Sequence, residues 1–165
     1  FESGEISISV GKKNLKIFPL PGHTSDSIAV LVEEDRVLFT GDTVMAVPYI
    51  VDGDLEVSID SMEKVKKMGL ENLVQGHGDI VLRGEVEQVL DENIHYLSEI
   101  RKAVKKATRR KYPLDLLEEV DIQACGKSRV LLGGLAPDLH FNNLTALYTQ
   151  MTGDEPIGSE LVYDE

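Results

Sequence analysis

The stretch LPGHTSDS, from Leu20 to Ser27, decides how this sequence is interpreted. It places His23 between a glycine and a threonine, directly after the strand-like run NLKIFPL (Asn14 to Leu20) and the turn-forming pair Pro21-Gly22. The run SIAVLV (Ser27 to Val32) then begins another strand. Since rigid scaffolds present chemistry on loops at the ends of strands, His23 is a candidate functional residue.

Two later segments repeat this order of a strand, a glycine and a side chain that can bind a metal. RVLFT (Arg36 to Thr40) leads into Gly41-Asp42, and NLVQ (Asn72 to Gln75) leads into Gly76-His77. Imidazole nitrogen and carboxylate oxygen are ligands that Zn²⁺ and Fe²⁺ accept, and a neighbouring glycine lets the backbone turn tightly. If the strands share one sheet, all three side chains emerge at the same edge. The alternatives are histidines that cap strand ends by hydrogen bonding and an ordinary turn aspartate.

The composition narrows the classes of ligand and compartment. The chain has 165 residues, 42% of them hydrophobic, which is enough to fill the core of one domain. No apolar run approaches the roughly 18 residues of a membrane span, and no basic-then-apolar leader is present in the sequence. The net charge of −12 argues against a nucleic-acid partner. The single cysteine, Cys125, fits a reducing compartment, so we expect a cytoplasmic protein without a membrane partner.

The apolar periodicity divides the chain into a β-rich part, residues 1–84, and a helical part, residues 85–165. The β-rich part also contains the strand ISISV and a short helix from Ser58 to Gly69, with an N-cap at Ser58 or Asp60. In the helical part, the pattern predicts a long helix ending near Lys111, a short segment PLDLLEEV, and a last helix from Pro137 to Thr152.

The segments PGHTSDS, VLFTGD and VQGHGD, in this order and spacing, resemble the third, fourth and fifth metal motifs of the metallo-β-lactamase superfamily. The resemblance implies an α/β fold, an αββα sandwich with one or two metals at the sheet edge. It also implies that His23 ligates the first metal, that Asp42 bridges both metals, and that His77 ligates the second. Zinc is the expected ion, with iron or manganese as alternatives. LHFNNLTALYTQMTG (Leu139 to Gly153) is similar to the C-terminal helix of glyoxalase-II-like hydrolases.

One departure from the family pattern shapes the expectation for this chain. The family's first two motifs, His-x-His-x-Asp-His, lie before the GHT segment, and nothing like them occurs here. We therefore expect the chain to be the C-terminal half of such an enzyme and to be inactive alone. Uncovered apolar strands should then make it self-associate as a homo-oligomer or bind its missing N-terminal half.

Several other residues are candidates for a role. His140 shares a stripe with Leu144 and Leu147, and we interpret it as a packed histidine, with lining of the substrate cleft as the alternative. His95 should face solvent, and Cys125 should be a small semi-buried residue and not a nucleophile. Asp79 is interpreted as a helix-capping carboxylate or one that supports a ligand. The basic run from Arg101 to Lys111 is interpreted as a solvated helix end, with an anchor for an anionic substrate tail such as glutathione or coenzyme A as the alternative.

The leading hypothesis for function is a metal-dependent hydrolase that attacks a thioester, ester or lactone carbonyl of a small-molecule substrate. A second hypothesis is an iron-dependent redox branch of the same fold. A third is a metal-free module that acts in binding or oligomerisation. The metal content of the full-length protein separates the third hypothesis from the other two.

Overall fold

The computed structural model describes residues 4–159, and its sheet is built in chain order. Its strands are β1 (Ile6–Val10), β2 (Lys13–Pro19), β3 (Ile28–Val32), β4 (Val37–Phe39) and β5 (Asn72–Val74). Its α-helices are α1 (Leu55–Lys66), α2 (Val86–Ala107), α3 (Pro113–Glu118) and α4 (Ala136–Thr152). The predicted mixed α/β class is confirmed.

Strands β1 to β4 form an antiparallel meander, and β5 joins β4 in parallel. The parallel pair needs a crossover, which α1 provides between β4 and β5. As a result, β4 and β5 end at the same edge of the sheet, and the loops that follow them begin side by side.

The two faces of the sheet differ in how well they are covered. On one face, Ala29, Leu38 and Leu73 are fully buried. The other face is apolar but uncovered: Val10 is 58% exposed, and Ile8, Ile28 and Phe39 are also exposed. The cross-strand register places further residues on this uncovered face, none of them buried: Leu15, Ile17, Val30, Val32, Val37 and Val74. One sheet face therefore belongs to a core, while the side chains on the opposite face, here called the uncovered sheet face, are exposed or half-buried in the described strands.

Helix α1 begins earlier than the sequence pattern predicts. Asp54 is its N-cap, and the carboxylate accepts a hydrogen bond from the Val57 backbone N–H at 2.9 Å. The predicted caps at Ser58 and Asp60 are wrong, because Ser58 is buried inside the helix. The signal that would have found the start is an aspartate directly before the apolar residues Leu55 and Val57.

The chain forms two compact units that divide within α2, after Ile94. In the second unit, α2 ends at Ala107 and not at the predicted Lys111, and α3 begins at Pro113, a favoured residue for a first helical turn. Helix α4 ends at Thr152 and is capped by Gly153, whose φ of +83° is the left-handed conformation expected of a glycine at a helix C-terminus. The core of this unit is formed by Leu97, Ile100, Val104, Leu117 and Leu144.

Candidate functional site

His23 lies in a loop whose backbone leaves no room for a side chain at the preceding residue. Gly22 has a φ of +149°, and a Cβ atom added there would lie 2.7 Å from the Ser58 hydroxyl oxygen. The ring of His23 is then fixed by its Nδ1, which lies 2.8 Å from the Tyr49 carbonyl oxygen. Because a carbonyl can only accept, Nδ1 carries a proton, and in the neutral ring Nε2 keeps its lone pair.

Asp42 lies in the single turn of 3₁₀-helix, Gly41–Thr43, that follows β4. The adjacent Thr43 hydroxyl donates a hydrogen bond of 2.6 Å to the Leu20 carbonyl, just before the His23 loop. The two loops are therefore tied together next to their candidate ligands.

His77 follows β5, and its loop is tied to the Asp42 loop by backbone hydrogen bonds. The Gly76 N–H lies 2.9 Å from the Gly41 carbonyl oxygen and 3.1 Å from that of Val44. The Ala46 N–H donates to the His77 carbonyl at 3.0 Å. A Cβ atom at Gly76 would lie 1.9 Å from Asp42 Oδ1, so only glycine leaves space for the carboxylate.

The structure brings the three predicted side chains together, with the carboxylate in the middle. His23 Nε2 lies 3.9 Å from Asp42 Oδ2, and His77 Nε2 lies 3.6 Å from Asp42 Oδ1. Ligands about 2.1 Å from a tetrahedral ion are about 3.4 Å apart, so each histidine and its facing oxygen are close to the separation of two donors to one ion. We call these three residues the edge cluster.

The edge cluster alone does not make a complete metal site. In the part of the chain that the structure describes, no group of three or more His, Cys, Asp or Glu side chains could hold a metal ion. The distances explain this, because each carboxylate oxygen faces a different histidine. Each side of Asp42 therefore offers one imidazole nitrogen and one carboxylate oxygen, which are donors that Zn²⁺ accepts. Two donors on each side are fewer than the four ligands of a zinc ion.

His140 belongs to a different, fully bonded group in the second unit. It is only 3% exposed, its Nε2 lies 3.1 Å from the Val120 carbonyl oxygen, and its Nδ1 lies 3.1 Å from the Tyr96 hydroxyl. Because the carbonyl requires a proton on Nε2, Nδ1 accepts from Tyr96, which in turn accepts from the Asn143 amide at 3.1 Å. We call Tyr96, His140 and Asn143 the helix cluster. Burial lowers the pKa of His140 and raises that of Tyr96.

The interpretation of His140 as a packed histidine is confirmed, and its ring also lines a cavity of about 280 Å³. The cavity lies between residues 117 and 144 and is bounded by apolar side chains including Leu117, Ile122 and Leu144. Both ring nitrogens are engaged, so His140 offers this cavity a ring edge and no free polar atom. Contact with a substrate remains a prediction.

The remaining candidates are distributed as follows. His95 is exposed, as predicted. Cys125 is buried, which raises the pKa of its thiol to about 11 and disfavours the nucleophilic thiolate. The Asp79 side chain is exposed and caps no helix. The basic run from Arg101 to Lys111 is largely exposed, as predicted for a solvated helix end. Its exposed cations are Lys102, Lys105, Lys106, Arg109, Arg110 and Lys111.

Sequence reasoning missed two groups that support the edge cluster. The Tyr49 carbonyl orients His23, but a backbone oxygen leaves no trace in the sequence. Gln75 directly precedes Gly76-His77, and its amide donates to the Asp79 carbonyl at 2.6 Å. A glutamine inside a candidate metal motif is a signal that could have been followed.

Residues 2–77, which contain the edge cluster, match the family model of the metallo-beta-lactamase superfamily. This segment belongs to that superfamily. Among curated relatives, the Beta-lactamase-like protein 2 homolog of Caenorhabditis elegans is 30% identical over 99 residues, 59% of this chain and 33% of the relative. The Atrochrysone carboxyl ACP thioesterase of Aspergillus fumigatus is 29% identical over 93 residues, 55% of this chain and 30% of the relative. The chain thus spans about a third of the length of these curated relatives.

Solved structures of metallo-beta-lactamase proteins share this fold at low identity. A stereoselective inverting sec-alkylsulfatase from Pseudomonas sp. matches with a TM-score of 0.65 and 16% identity, over 93% of this chain and 26% of that chain. A metallo-beta-lactamase family protein from Thermus thermophilus matches with a TM-score of 0.59 and 18% identity, over 90% of this chain and 48% of that chain. The relatives named above include a hydrolase, the thioesterase. Within residues 4–159, no helix is both long and apolar enough to cross a membrane.

Proposed function

We propose that this chain carries part of the metal site of a hydrolase that cleaves a thioester, ester or lactone bond. The observation that carries the proposal is the position of Asp42, whose two oxygens face His23 and His77 on opposite sides. Metallo-beta-lactamase proteins generally bind metal ions, and two imidazoles with a carboxylate are a donor set that zinc accepts. A thioesterase among the relatives and a net charge of −12 favour a carbonyl substrate over a nucleic acid.

The residues of the chain have distinct parts in this proposal. His23 presents Nε2 with its ring orientation fixed by the Tyr49 carbonyl, while Asp42 offers one oxygen to each side. His77 is 63% exposed, compared with 22% for His23, so the His77 side is the one open to a substrate. When bound, the metal lowers the pKa of a coordinated water and polarises the scissile carbonyl. In this proposal, any further protein ligands would come from outside residues 4–159, since no group of three or more His, Cys, Asp or Glu side chains in this part of the chain could hold an ion.

Replacement of Asp42 tests the proposal. In the natural protein, we expect Asp42→Ala to lose at least one zinc ion and at least about 100-fold in thioester and ester hydrolysis, because one carboxylate serves both sides of the site. The matched control is Asp60→Ala, which removes an exposed carboxylate from α1. Zinc content by mass spectrometry and initial rates are the measurements. Normal turnover by the Asp42 variant would remove the carboxylate from the mechanism.

We also propose that a second copy of the 165-residue chain covers the uncovered sheet face. In the described strands, Lys13 is the only charged side chain on that face, and it pairs with Asp35. Two copies can therefore stack there without opposing like charges, although each carries a net charge of −12. Five strands of about five residues give a footprint of about 400 Å² per copy, which is the size of a weak interface.

Sedimentation equilibrium of the isolated chain tests this second proposal. We expect dimers that form between about 10 and 200 μM, in line with the small footprint. Ile8→Glu should weaken them by placing a charge on the face, whereas Val130→Glu, at an exposed position outside the sheet, should not. A monomer over the whole range, or equal effects of the two variants, would overturn the proposal.

A further inference from the structure

The side chain of Gln75 lies inside the turn that carries His77. Its Nε2 donates to the Asp79 carbonyl at 2.6 Å, so the amide bridges the two ends of the segment Gly76-His77-Gly78. A Cβ atom added at Gly78 would lie 2.5 Å from this Nε2, which shows how closely the turn wraps around the amide. Because Gly78 also has a φ of +131°, the turn depends on glycine at this position.

The orientation of the amide is set by the Asp79 carbonyl. Reversing the amide would bring Oε1 against that carbonyl, and two acceptors would then face each other. In the observed orientation, Oε1 is buried and has no hydrogen-bond partner among residues 4–159. Buried acceptors without a partner are rare. Gln75 nevertheless keeps the bond from Nε2 to the Asp79 carbonyl and leaves its own Oε1 without a partner.

His77 needs such support more than His23 does. The ring of His23 is fixed by the Tyr49 carbonyl, whereas the ring of His77 is 63% exposed and faces Asp42 at 3.6 Å. The position of the His77 ring therefore depends on its backbone. The Gly76 and Ala46 amides fix the backbone at Gly76 and at the His77 carbonyl, and the bond from Gln75 to Asp79 closes the turn beyond it.

We propose that Gln75 is a positioning residue that holds the His77 imidazole next to Asp42 by closing this turn. The inference rests on the proposed function, because it gives His77 a metal to bind. Loss of the Gln75 amide lets the turn open, so the affinity for the ion on the His77 side falls while the position on the His23 side is retained.

Two variants of Gln75 separate the hydrogen bond from packing. Gln75→Met keeps the length and removes the donor, and Gln75→Glu keeps the shape but has no N–H at neutral pH. The matched control is Gln88→Met, on the exposed face of α2, where the glutamine bonds Glu92. In zinc titrations of the natural protein, both Gln75 variants should bind one ion about 10 to 100-fold more weakly, and the control should bind as the wild type does.

A double-mutant cycle with His77 distinguishes positioning from a general structural role. If Gln75 acts through His77, Gln75→Met should have no further effect on zinc affinity in a His77→Ala background. An equal loss in both backgrounds, or wild-type affinity in both Gln75 variants, would overturn the inference. Asp42→Ala is titrated in parallel. If it loses zinc while the Gln75 variants do not, the inference fails and the proposed function stands; if it binds as the wild type does, both fail.

Discussion

The edge cluster and the helix cluster both contain histidine, but both ring nitrogens of His140 make hydrogen bonds and only one of those of His23 does. In the helix cluster, His140 donates to Val120 and accepts from Tyr96, and Tyr96 accepts from Asn143, so the chain of bonds is closed. In the edge cluster, His23 uses one nitrogen to hold its orientation and leaves the other facing Asp42 at 3.9 Å, beyond hydrogen-bond distance.

This difference separates histidines that stabilise a fold from histidines that can act on a ligand. A buried polar group with all its bonds made contributes stability and specificity, and it has nothing left to offer. A ring with one oriented nitrogen and one free nitrogen is arranged as metal-ligating histidines are. Hydrogen bonding at the second nitrogen, and not burial alone, identifies His23 as the functional candidate and His140 as the structural one.

The sharpest test of the comparison is a matched pair of substitutions. His23→Ala should lose about 100-fold or more in hydrolysis by the natural protein, because it removes a proposed ligand, with a small change in the free energy of unfolding. His140→Ala should lower the free energy of unfolding by about 2 to 4 kcal/mol, because it opens a cavity, removes the donor to the Val120 carbonyl and leaves the Tyr96 hydroxyl hydrogen without its acceptor. Its zinc content should be unchanged.

Initial rates, zinc content and urea unfolding measure both sides of this pair. His95→Ala is the control, since that histidine is exposed and should change neither quantity. If His23→Ala destabilised the protein as much as His140→Ala and left the rate unchanged, the distinction between the two clusters would be lost.

A smaller effect is expected in the pH dependence of stability. Burial is the largest influence on the pKa of His140 and lowers it below about 6.5, although the Val120 carbonyl and Asp121 raise it. Below about pH 6.5, His140 therefore becomes protonated in the unfolded chain while it is still neutral in the folded chain. The free energy of unfolding must fall as the pH drops, by at most about 1.4 kcal/mol per pH unit, until the folded pKa is reached.

Unfolding curves between pH 7.5 and pH 5.5 measure this contribution. His140→Gln should flatten the dependence relative to the wild type, because glutamine does not titrate in this range. His95→Gln should leave the slope as it is, since His95 is exposed. If the His140 variant had the same slope as the wild type, the burial of His140 would not contribute to the loss of stability at low pH.

The sequence was most informative where local chemistry repeats. Three strands, each followed by a glycine and a donor side chain, were enough to place His23, Asp42 and His77 at one edge, because β2, β4 and β5 run in the same direction and end at the same edge of the sheet. The start of helix α1 was predicted too late, because Asp54, its N-cap, was interpreted as part of the preceding loop. The start depended on one aspartate, whereas Ser58 and Asp60, the caps predicted instead, both lie inside the helix.

The support for each histidine was beyond sequence reasoning. The Tyr49 carbonyl reaches His23 only because of how the loop after Thr43 folds back, and any residue could supply that oxygen. Tyr96 and His140 come from helices far apart in the chain, and their bond depends on packing that no local pattern encodes. Contacts between side chain and backbone, or between distant helices, require coordinates.

The order of the strands has a consequence for how the edge cluster is assembled during synthesis. Each strand pairs with its neighbour in the sequence, from β1 through β5. If the strands pair in the order of their synthesis, we expect the loop of His23 to close when β3 pairs with β2, that of Asp42 after β4 has paired, and that of His77 after β5 has paired. Such sequential pairing has a low contact order and favours fast folding. The strand pairs that close the three donor loops therefore all lie within the first unit, and none of them involves the helices of the second unit.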